Sequence, residues 1–102
     1  MKSADERLRN LRQQVDDTDE KIVELLRRRL EIVLQIAECK GAAGLPLRDM
    51  NREQQVLRRI ELFNQQRQPT LPSEPLAEIF KAVMRLSLRA QEETTQSSAR
   101  NQ

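Results

Sequence analysis

An uninterrupted apolar repeat near the N-terminus constrains this chain more than any other feature. Ten seam positions separated by steps of three or four are occupied in order by Leu8, Leu11, Val15, Thr18, Ile22, Leu25, Arg29, Ile32, Ile36 and Cys39. Eight of the ten are apolar, and no Pro or Gly interrupts them. This spacing is typical of one long amphipathic helix, which we predict from about Asp5 to Lys40. Gly41, Gly44 and Pro46 are the signals that end it.

The length of this helix predicts a homodimer. Some 36 residues of helix extend roughly 54 Å at about 1.5 Å per residue. A compact domain of about 100 residues has a radius of gyration of only about 13 Å, so a helix of that length would project its apolar seam into water. Two copies laid against each other would remove that cost.

Two shorter helices are predicted after the long one, which makes the fold class all-α with three helices per chain. The second is expected to begin at Asp49 as N-cap, and the third at Ser73 as cap. Their apolar stripes are expected to be Met50, Val56, Leu57, Ile60 and Phe63, and then Leu76, Ile79, Phe80, Val83 and Met84. Residues 1–91 are predicted to form one helical domain, and residues 92–102 a polar, disordered tail.

Composition excludes several classes of chemistry. The 102 residues include no His and only one cysteine, Cys39, which leaves no Ser-His-Asp triad, Cys-His pair or ordinary zinc site. No glycine-rich phosphate loop is present, so no cofactor and no metal are expected. The net charge is only +2, and no apolar run is long enough to cross a bilayer. We therefore expect a cytoplasmic protein that binds neither nucleic acid nor membrane.

Polar residues at seam positions are the candidate functional residues. Arg29 and Lys40 lie on nearly the same face of the long helix, Arg12 lies on its flank, and Ser87 and Gln91 extend the stripe of the third helix. Because buried charges are costly unless paired, these positions indicate a polar pocket completed by an anionic ligand. Taken singly, each has an ordinary structural explanation, such as a partner carboxylate for Arg29 or the helix dipole for Lys40.

The spacing between two of these arginines requires a second chain. Arg12 and Arg29 are seventeen residues apart, about 25 Å along a straight helix, so one chain cannot bring both to one small ligand. In an antiparallel dimer, Arg12 of the partner subunit approaches the region of Arg29 and Lys40. Active sites shared between chains are the expected result.

Together these segments resemble the all-helical chorismate mutase family from about Leu8 to Gln91. The resemblance is carried by the opening helix LRQQVDDTDEKIVELLRRRLEIVLQIAECK, by the RDxxRE pattern in LPLRDMNRE and by the Ser–Gln pair in FKAVMRLSLRAQ. It implies an intertwined homodimer and a Claisen rearrangement of chorismate to prephenate. Such a reaction needs no nucleophile, metal or cofactor. Catalysis would come from clamping a compact conformer and stabilising the charge that develops in the transition state.

The resemblance also implies a role for each candidate residue. Arg29 and Arg12 of the partner subunit would bind the two substrate carboxylates. Lys40 and Gln91 would donate hydrogen bonds to the ether oxygen. The remaining roles concern the ring: Asp49 and Glu53 would engage its hydroxyl, Arg52 would orient them or contact a carboxylate, and Ser87 would bond the ring carboxylate.

Three alternatives remain open. A mutase for 4-amino-4-deoxychorismate would use Asp49 and Glu53 to receive an ammonium in place of a hydroxyl. An isochorismate–pyruvate lyase shares the scaffold, but its loop usually departs from the RDxxRE pattern. A non-catalytic helical dimerisation module would gain stability from an apolar residue in place of Arg29.

Overall fold

The structure is a computed structural model that describes residues 3–100, with side chains described as far as residue 96. Within that range the chain forms three helices and no strand: α1 (Ala4–Ala42), α2 (Met50–Gln65) and α3 (Ser73–Arg100). This confirms the all-α class and the order of helices expected from the apolar repeats. The chain divides into two compact units at the junction of Glu31 and Ile32, which lies within α1.

The first unit, which ends at Glu31, is the N-terminal part of α1. The hydroxyl of Ser3 accepts a 3.1 Å hydrogen bond from the amide of Glu6, which caps the helix. Asp5 and Glu6 lie in the first turn, where the helix dipole favours negative charge. The apolar seam is exposed here, and Leu25 reaches 69% exposure. The predicted amphipathic helix is present, with its apolar stripe open to solvent.

α1 ends within the second unit, in a glycine motif that the sequence predicted. Gly44 adopts a φ of +69°, a left-handed conformation that L side chains rarely accept. Its amide donates to the carbonyl of Gly41 at 3.2 Å, and the amide of Leu45 donates to the carbonyl of Lys40 at 2.8 Å. These two bonds satisfy carbonyls that the helix end leaves without partners, and they turn the chain towards α2.

α2 and α3 pack against each other in the second unit. Val56 is buried, and the half-buried apolar residues around it include Leu57, Ile60, Leu76, Phe80, Val83 and Met84. The predicted stripes are therefore only partly covered. Met50, Phe63 and Ile79 are more than half exposed in the single chain, contrary to expectation.

A buried amide closes the connection between α2 and α3. The side chain of Asn64, only 6% exposed, accepts a 2.9 Å hydrogen bond from the amide of Leu71 and donates a 2.8 Å bond to the carbonyl of the same residue. The hydroxyl of Ser73 donates to the carboxylate of Glu61 at 2.6 Å. The prediction that Ser73 is the cap of α3 is therefore wrong: Ser73 is the first helical residue, and its hydroxyl bonds to α2 instead.

The predicted C-terminal tail begins inside α3. The helix continues past Gln91 to Arg100, so residues 92–100 are helical, in contrast to the disordered segment expected. No Gly or Pro interrupts this stretch, and its Gln, Glu, Ala and Arg residues favour helix. The predicted tail also includes residues 101 and 102, and the predicted domain residues 1 and 2; these four lie outside the described residues.

Candidate active site

Lys40 lies in the last turn of α1 and is half-buried. Its ammonium donates a 2.7 Å hydrogen bond to the backbone carbonyl of Leu47. An ammonium carries three N–H donors, so this bond leaves two for another partner. Lys40 therefore ties the loop after α1 to the helix end and keeps a positive charge at that point.

Asp49 is the N-cap of α2, as predicted. Its carboxylate accepts a 3.0 Å hydrogen bond from the amide of Arg52. The guanidinium of Arg52 donates to the side-chain oxygen of Gln55 at 2.7 Å, along the outer surface of the same helix. Arg52 is exposed, and these contacts hold it on α2.

The carboxylate of Glu53 is held by Arg48, the residue directly before the N-cap. Arg48 Nε lies 3.0 Å from Glu53 Oε2, and Arg48 Nη2 lies 3.4 Å from Glu53 Oε1. The hydrogen bond to Glu53, together with the negative charge of that carboxylate, raises the pKa of the Arg48 guanidinium. The Arg48 guanidinium is thus charged throughout the neutral pH range.

Ser87 and Gln91 lie one turn apart on α3 and are buried, with exposures of 5% and 7%. The Ser87 hydroxyl donates to the carbonyl of Val83 at 3.0 Å. Gln91 Nε2 donates to the carbonyl of Ser87 at 3.2 Å, and Gln91 Oε1 is buried without a hydrogen-bond partner among the described residues. Because a buried amide without its full set of partners is costly, this position indicates a group adapted to a ligand.

Two cavities in the second unit bring several of these residues together. One, of about 380 Å³, is lined by Lys40, Leu45, Pro46, Arg48, Asp49, Met50 and Asn51. The other, of about 390 Å³, is lined by Arg48, Met50, Glu53, Gln54, Leu57, Lys81, Met84, Arg85 and Leu88. Arg48 and Met50 line both cavities, so the cavity that contains Asp49 lies next to the cavity that contains Glu53.

The two remaining predicted residues belong to the first unit. Arg12 is exposed on α1, and Arg29 is half-buried on the same helix. Arg29 is more covered than its seam neighbours Leu25 and Ile32, which are exposed. The roles of Arg12 and Arg29 towards a ligand stay predictions from the sequence.

Arg48 is the residue that the sequence analysis missed. It is the first residue of the RDxxRE pattern, but no role was assigned to it. Its position in the sequence could have predicted the contact. Arg48 directly precedes the N-cap of α2, and from there a long arginine side chain can reach the carboxylate of Glu53 in the first turn.

Among residues 3–96 no group of His, Cys, Asp and Glu side chains is arranged to hold a metal ion. No helix in the part of the chain that the structure describes is both long and apolar enough to span a membrane.

The three helices define a small all-helical protein with two neighbouring cavities, each lined by more cationic than anionic side chains. The family model for chorismate mutase type II matches residues 11–92, and the chain belongs to that family. This confirms the resemblance seen in the sequence.

Individual relatives agree with that family. The chain is 31% identical over 80 residues to a bifunctional chorismate mutase/prephenate dehydratase of Aquifex aeolicus, covering 78% of this chain and 22% of that protein. It is 34% identical over 55 residues to a chorismate mutase of Methanocaldococcus jannaschii, covering 54% of this chain and 56% of that protein. The chain thus spans about a fifth of the length of the first relative and about half of the length of the second.

A solved structure extends the similarity to the fold. The crystal structure of chorismate mutase from Helicobacter pylori in complex with prephenate matches with a TM-score of 0.78 and 33% identity, covering 89% of this chain and 96% of that chain. The three-helix arrangement is therefore that of an all-helical chorismate mutase.

Proposed function

We propose that this protein is a chorismate mutase that converts chorismate to prephenate. In this intramolecular rearrangement the ether C–O bond breaks as a C–C bond forms, and the product has the same atoms as the substrate. The protein then needs to supply only a binding site that holds the reactive conformer and donors for the charge that builds on the ether oxygen.

The pair of buried polar side chains on α3 carries the proposal. Ser87 and Gln91 occupy positions where the helix pattern calls for apolar residues, and the Gln91 carbonyl oxygen lacks a partner in the described chain. An ordinary packed core rarely retains such groups. The family and the prephenate-bound relative from Helicobacter pylori support chorismate as the ligand that these polar groups would bind.

In this proposal Lys40 and Gln91 donate hydrogen bonds to the ether oxygen. Lys40 has two N–H groups left after its bond to Leu47, and Gln91 Nε2 has a second N–H besides the one it donates to the carbonyl of Ser87. One preorganised donor to a developing oxyanion is worth about 2.7–4 kcal/mol, or about 100–1,000-fold in rate. Two such donors explain a useful acceleration without covalent chemistry.

The other groups of the second unit would bind the substrate ring. Asp49 and Glu53 would engage the ring hydroxyl, and Ser87 would bond the ring carboxylate. Arg52 would break its hydrogen bond to Gln55 in order to orient these carboxylates or to contact the substrate. Because its side chain is exposed, this needs only a change of rotamer.

A homodimer completes the site in this proposal. Arg29 and Arg12 of the partner subunit would bind the two carboxylates of the substrate. The exposed apolar seam of α1, which includes Leu11 at 53%, Val15 at 59% and Leu25 at 69%, supplies the surface for the second copy. The cytoplasmic location and the absence of a cofactor stay predictions from the sequence.

Incubation with three substrates tests the proposal. The purified protein is given chorismate, 4-amino-4-deoxychorismate or isochorismate in separate reactions, and the products are separated by chromatography. Prephenate formed from chorismate is the expected result. Pyruvate from isochorismate, or rearrangement of the amino analogue alone, would assign a different reaction, and no product from any of them would favour the non-catalytic module.

A further inference from the structure

Arg48 directly precedes Asp49 and contacts Glu53, the two groups that the proposed function assigns to one substrate hydroxyl. It lines the cavity with Asp49 and also the cavity with Glu53. Its guanidinium contacts both oxygens of the Glu53 carboxylate, at 3.0 Å and 3.4 Å. The roles derived from the sequence leave it unused, although it belongs to the same RDxxRE pattern.

The two contacts fix the orientation of the carboxylate. A guanidinium that meets both oxygens of a carboxylate restricts its rotation as well as its position. The backbone at Glu53 is also held in place, because its amide donates a 3.0 Å hydrogen bond to the carbonyl of Asp49. Without Arg48 the Glu53 side chain, about 31% exposed, has rotamers that point to solvent.

The charges around Arg48 and Glu53 determine which substrate group can bind there. The negative charge of Glu53 is balanced by Arg48, and Lys81 and Arg85 line the same cavity. The carboxylate of Asp49 already accepts the Arg52 amide at the N-terminus of α2, where the helix dipole offsets negative charge. A neutral hydroxyl can donate to these carboxylates without meeting net repulsion, whereas an ammonium would lie close to the Arg48 guanidinium.

We propose that Arg48 is a positioning and specificity residue: it orients the Glu53 carboxylate and offsets its charge, so that the site selects a substrate with a ring hydroxyl over one with an ammonium at that position. This inference rests on the proposed function. The raised pKa of Arg48 supports it, since the guanidinium keeps its charge wherever the enzyme is assayed.

Replacement of Arg48 tests both parts of the inference. Arg48→Gln is compared with the wild type on chorismate and on 4-amino-4-deoxychorismate, with kcat and KM measured for each. We expect kcat on chorismate to fall about tenfold with little change in KM, and the kcat/KM ratio of the amino to the hydroxyl substrate to rise about tenfold, because one nearby charge has been removed in a partly solvated site.

Three further variants show how Arg48 acts. Arg48→Lys keeps the charge but loses the two-point contact, so its substrate ratio stays near wild type while its kcat falls. In the Glu53→Gln background, Arg48→Gln lowers kcat on chorismate by less than about twofold, as expected when coupled residues act as one unit. Arg89→Gln is the matched control: it removes an exposed arginine of α3 that pairs with Glu93 at 3.1 Å and lines neither cavity, and it leaves the substrate ratio unchanged.

Distinct results separate this inference from the proposed function. If the wild type converts chorismate but Arg48→Gln keeps the wild-type substrate ratio, or if its effect multiplies fully with that of Glu53→Gln, the inference is overturned while the proposed function stands. If the wild type converts neither substrate, the proposed function is overturned, and the role of Arg48 with it.

Discussion

The ammonium of Lys40 donates a 2.7 Å hydrogen bond to the backbone carbonyl of Leu47, seven residues further along the chain. The bond spans the glycine turn that ends α1 and fixes the loop that leads to Asp49. One side chain thus connects the end of one helix to the start of the next. The same ammonium is available to a ligand in the adjacent cavity.

Lys40→Ala should reduce turnover on chorismate by about 100–1,000-fold, because it removes one preorganised donor to the developing oxyanion. The measurement is steady-state kinetics, together with circular dichroism to show that the helices remain. Lys21→Ala removes an exposed lysine of α1 and serves as the matched control. Near-native activity in Lys40→Ala would remove Lys40 from the mechanism.

Arg29→Leu should abolish activity and leave the fold intact, because the change removes a substrate carboxylate partner while placing an apolar residue on the apolar seam. A non-catalytic scaffold would be unharmed or stabilised by the same change. Arg28→Leu alters the neighbouring, exposed arginine, which pairs with Glu31 at 3.4 Å, and should keep most of the activity. Equal losses in both variants would contradict a specific role for Arg29.

Leu25→Glu should convert the proposed dimer to monomers and abolish activity, because it places a charge in the exposed apolar seam and would separate Arg12 from the site proposed on the other chain. Sedimentation velocity measures the assembly directly. Arg27→Glu adds a carboxylate to the opposite face of α1 and should remain dimeric. A Leu25→Glu protein that stays dimeric and active would exclude this seam as the interface.

Gln91→Glu should make activity depend on pH, whereas the wild type should stay active through neutral pH, because an amide donates without titrating. The substituted carboxyl donates only when protonated, and burial raises its pKa above the ordinary value of about 4.3. Activity should therefore be present at low pH and lost as pH rises through that pKa. A wild-type enzyme that itself loses activity sharply above about pH 5 would contradict the role of Gln91 as a neutral donor.

Asn64→Ala should lower the free energy of unfolding by about 1–3 kcal/mol, because it leaves the amide and carbonyl of Leu71 without their side-chain partner in a partly buried turn. Urea denaturation measures the change. Gln65→Ala removes an exposed amide that donates to Glu61 at 3.1 Å, and should cost only about 0.2–0.5 kcal/mol. Equal costs would show that the Asn64 contacts do not stabilise the turn.

Local signals in the sequence predicted the helices well. The apolar repeat predicts the C-terminal end of α1 to within two residues. Asp49 is the N-cap of α2 and Gly44 lies in the turn that ends α1, as the sequence predicts. Ser73 was assigned wrongly, because its hydroxyl has a partner on α2 that no local pattern reveals. The end of α3 was placed too early, since a loss of apolar residues does not by itself end a helix of good helix formers.

Site residues were predictable as residue types but not as contacts. The sequence marked Lys40, Glu53, Ser87 and Gln91 because each departs from an apolar pattern or belongs to a recognisable motif. It did not indicate that Lys40 bonds the carbonyl of Leu47, or that Arg48 holds Glu53. Those pairs depend on the backbone course of a short loop and on the first turn of α2.

Local sequence patterns are enough to specify the all-α class, the amphipathic seam of α1 and the positions of the main helix signals, because helical periodicity and capping act between residues only a few positions apart. The burial of Ser87 and Gln91, the closure of the turn before α3 by Asn64 and the place of Arg48 in two cavities depend instead on the folded chain. Burial and these pairings arise when α2 packs on α3 and the loops take one conformation. That outcome depends on many residues at once, so no single stretch of sequence specifies it.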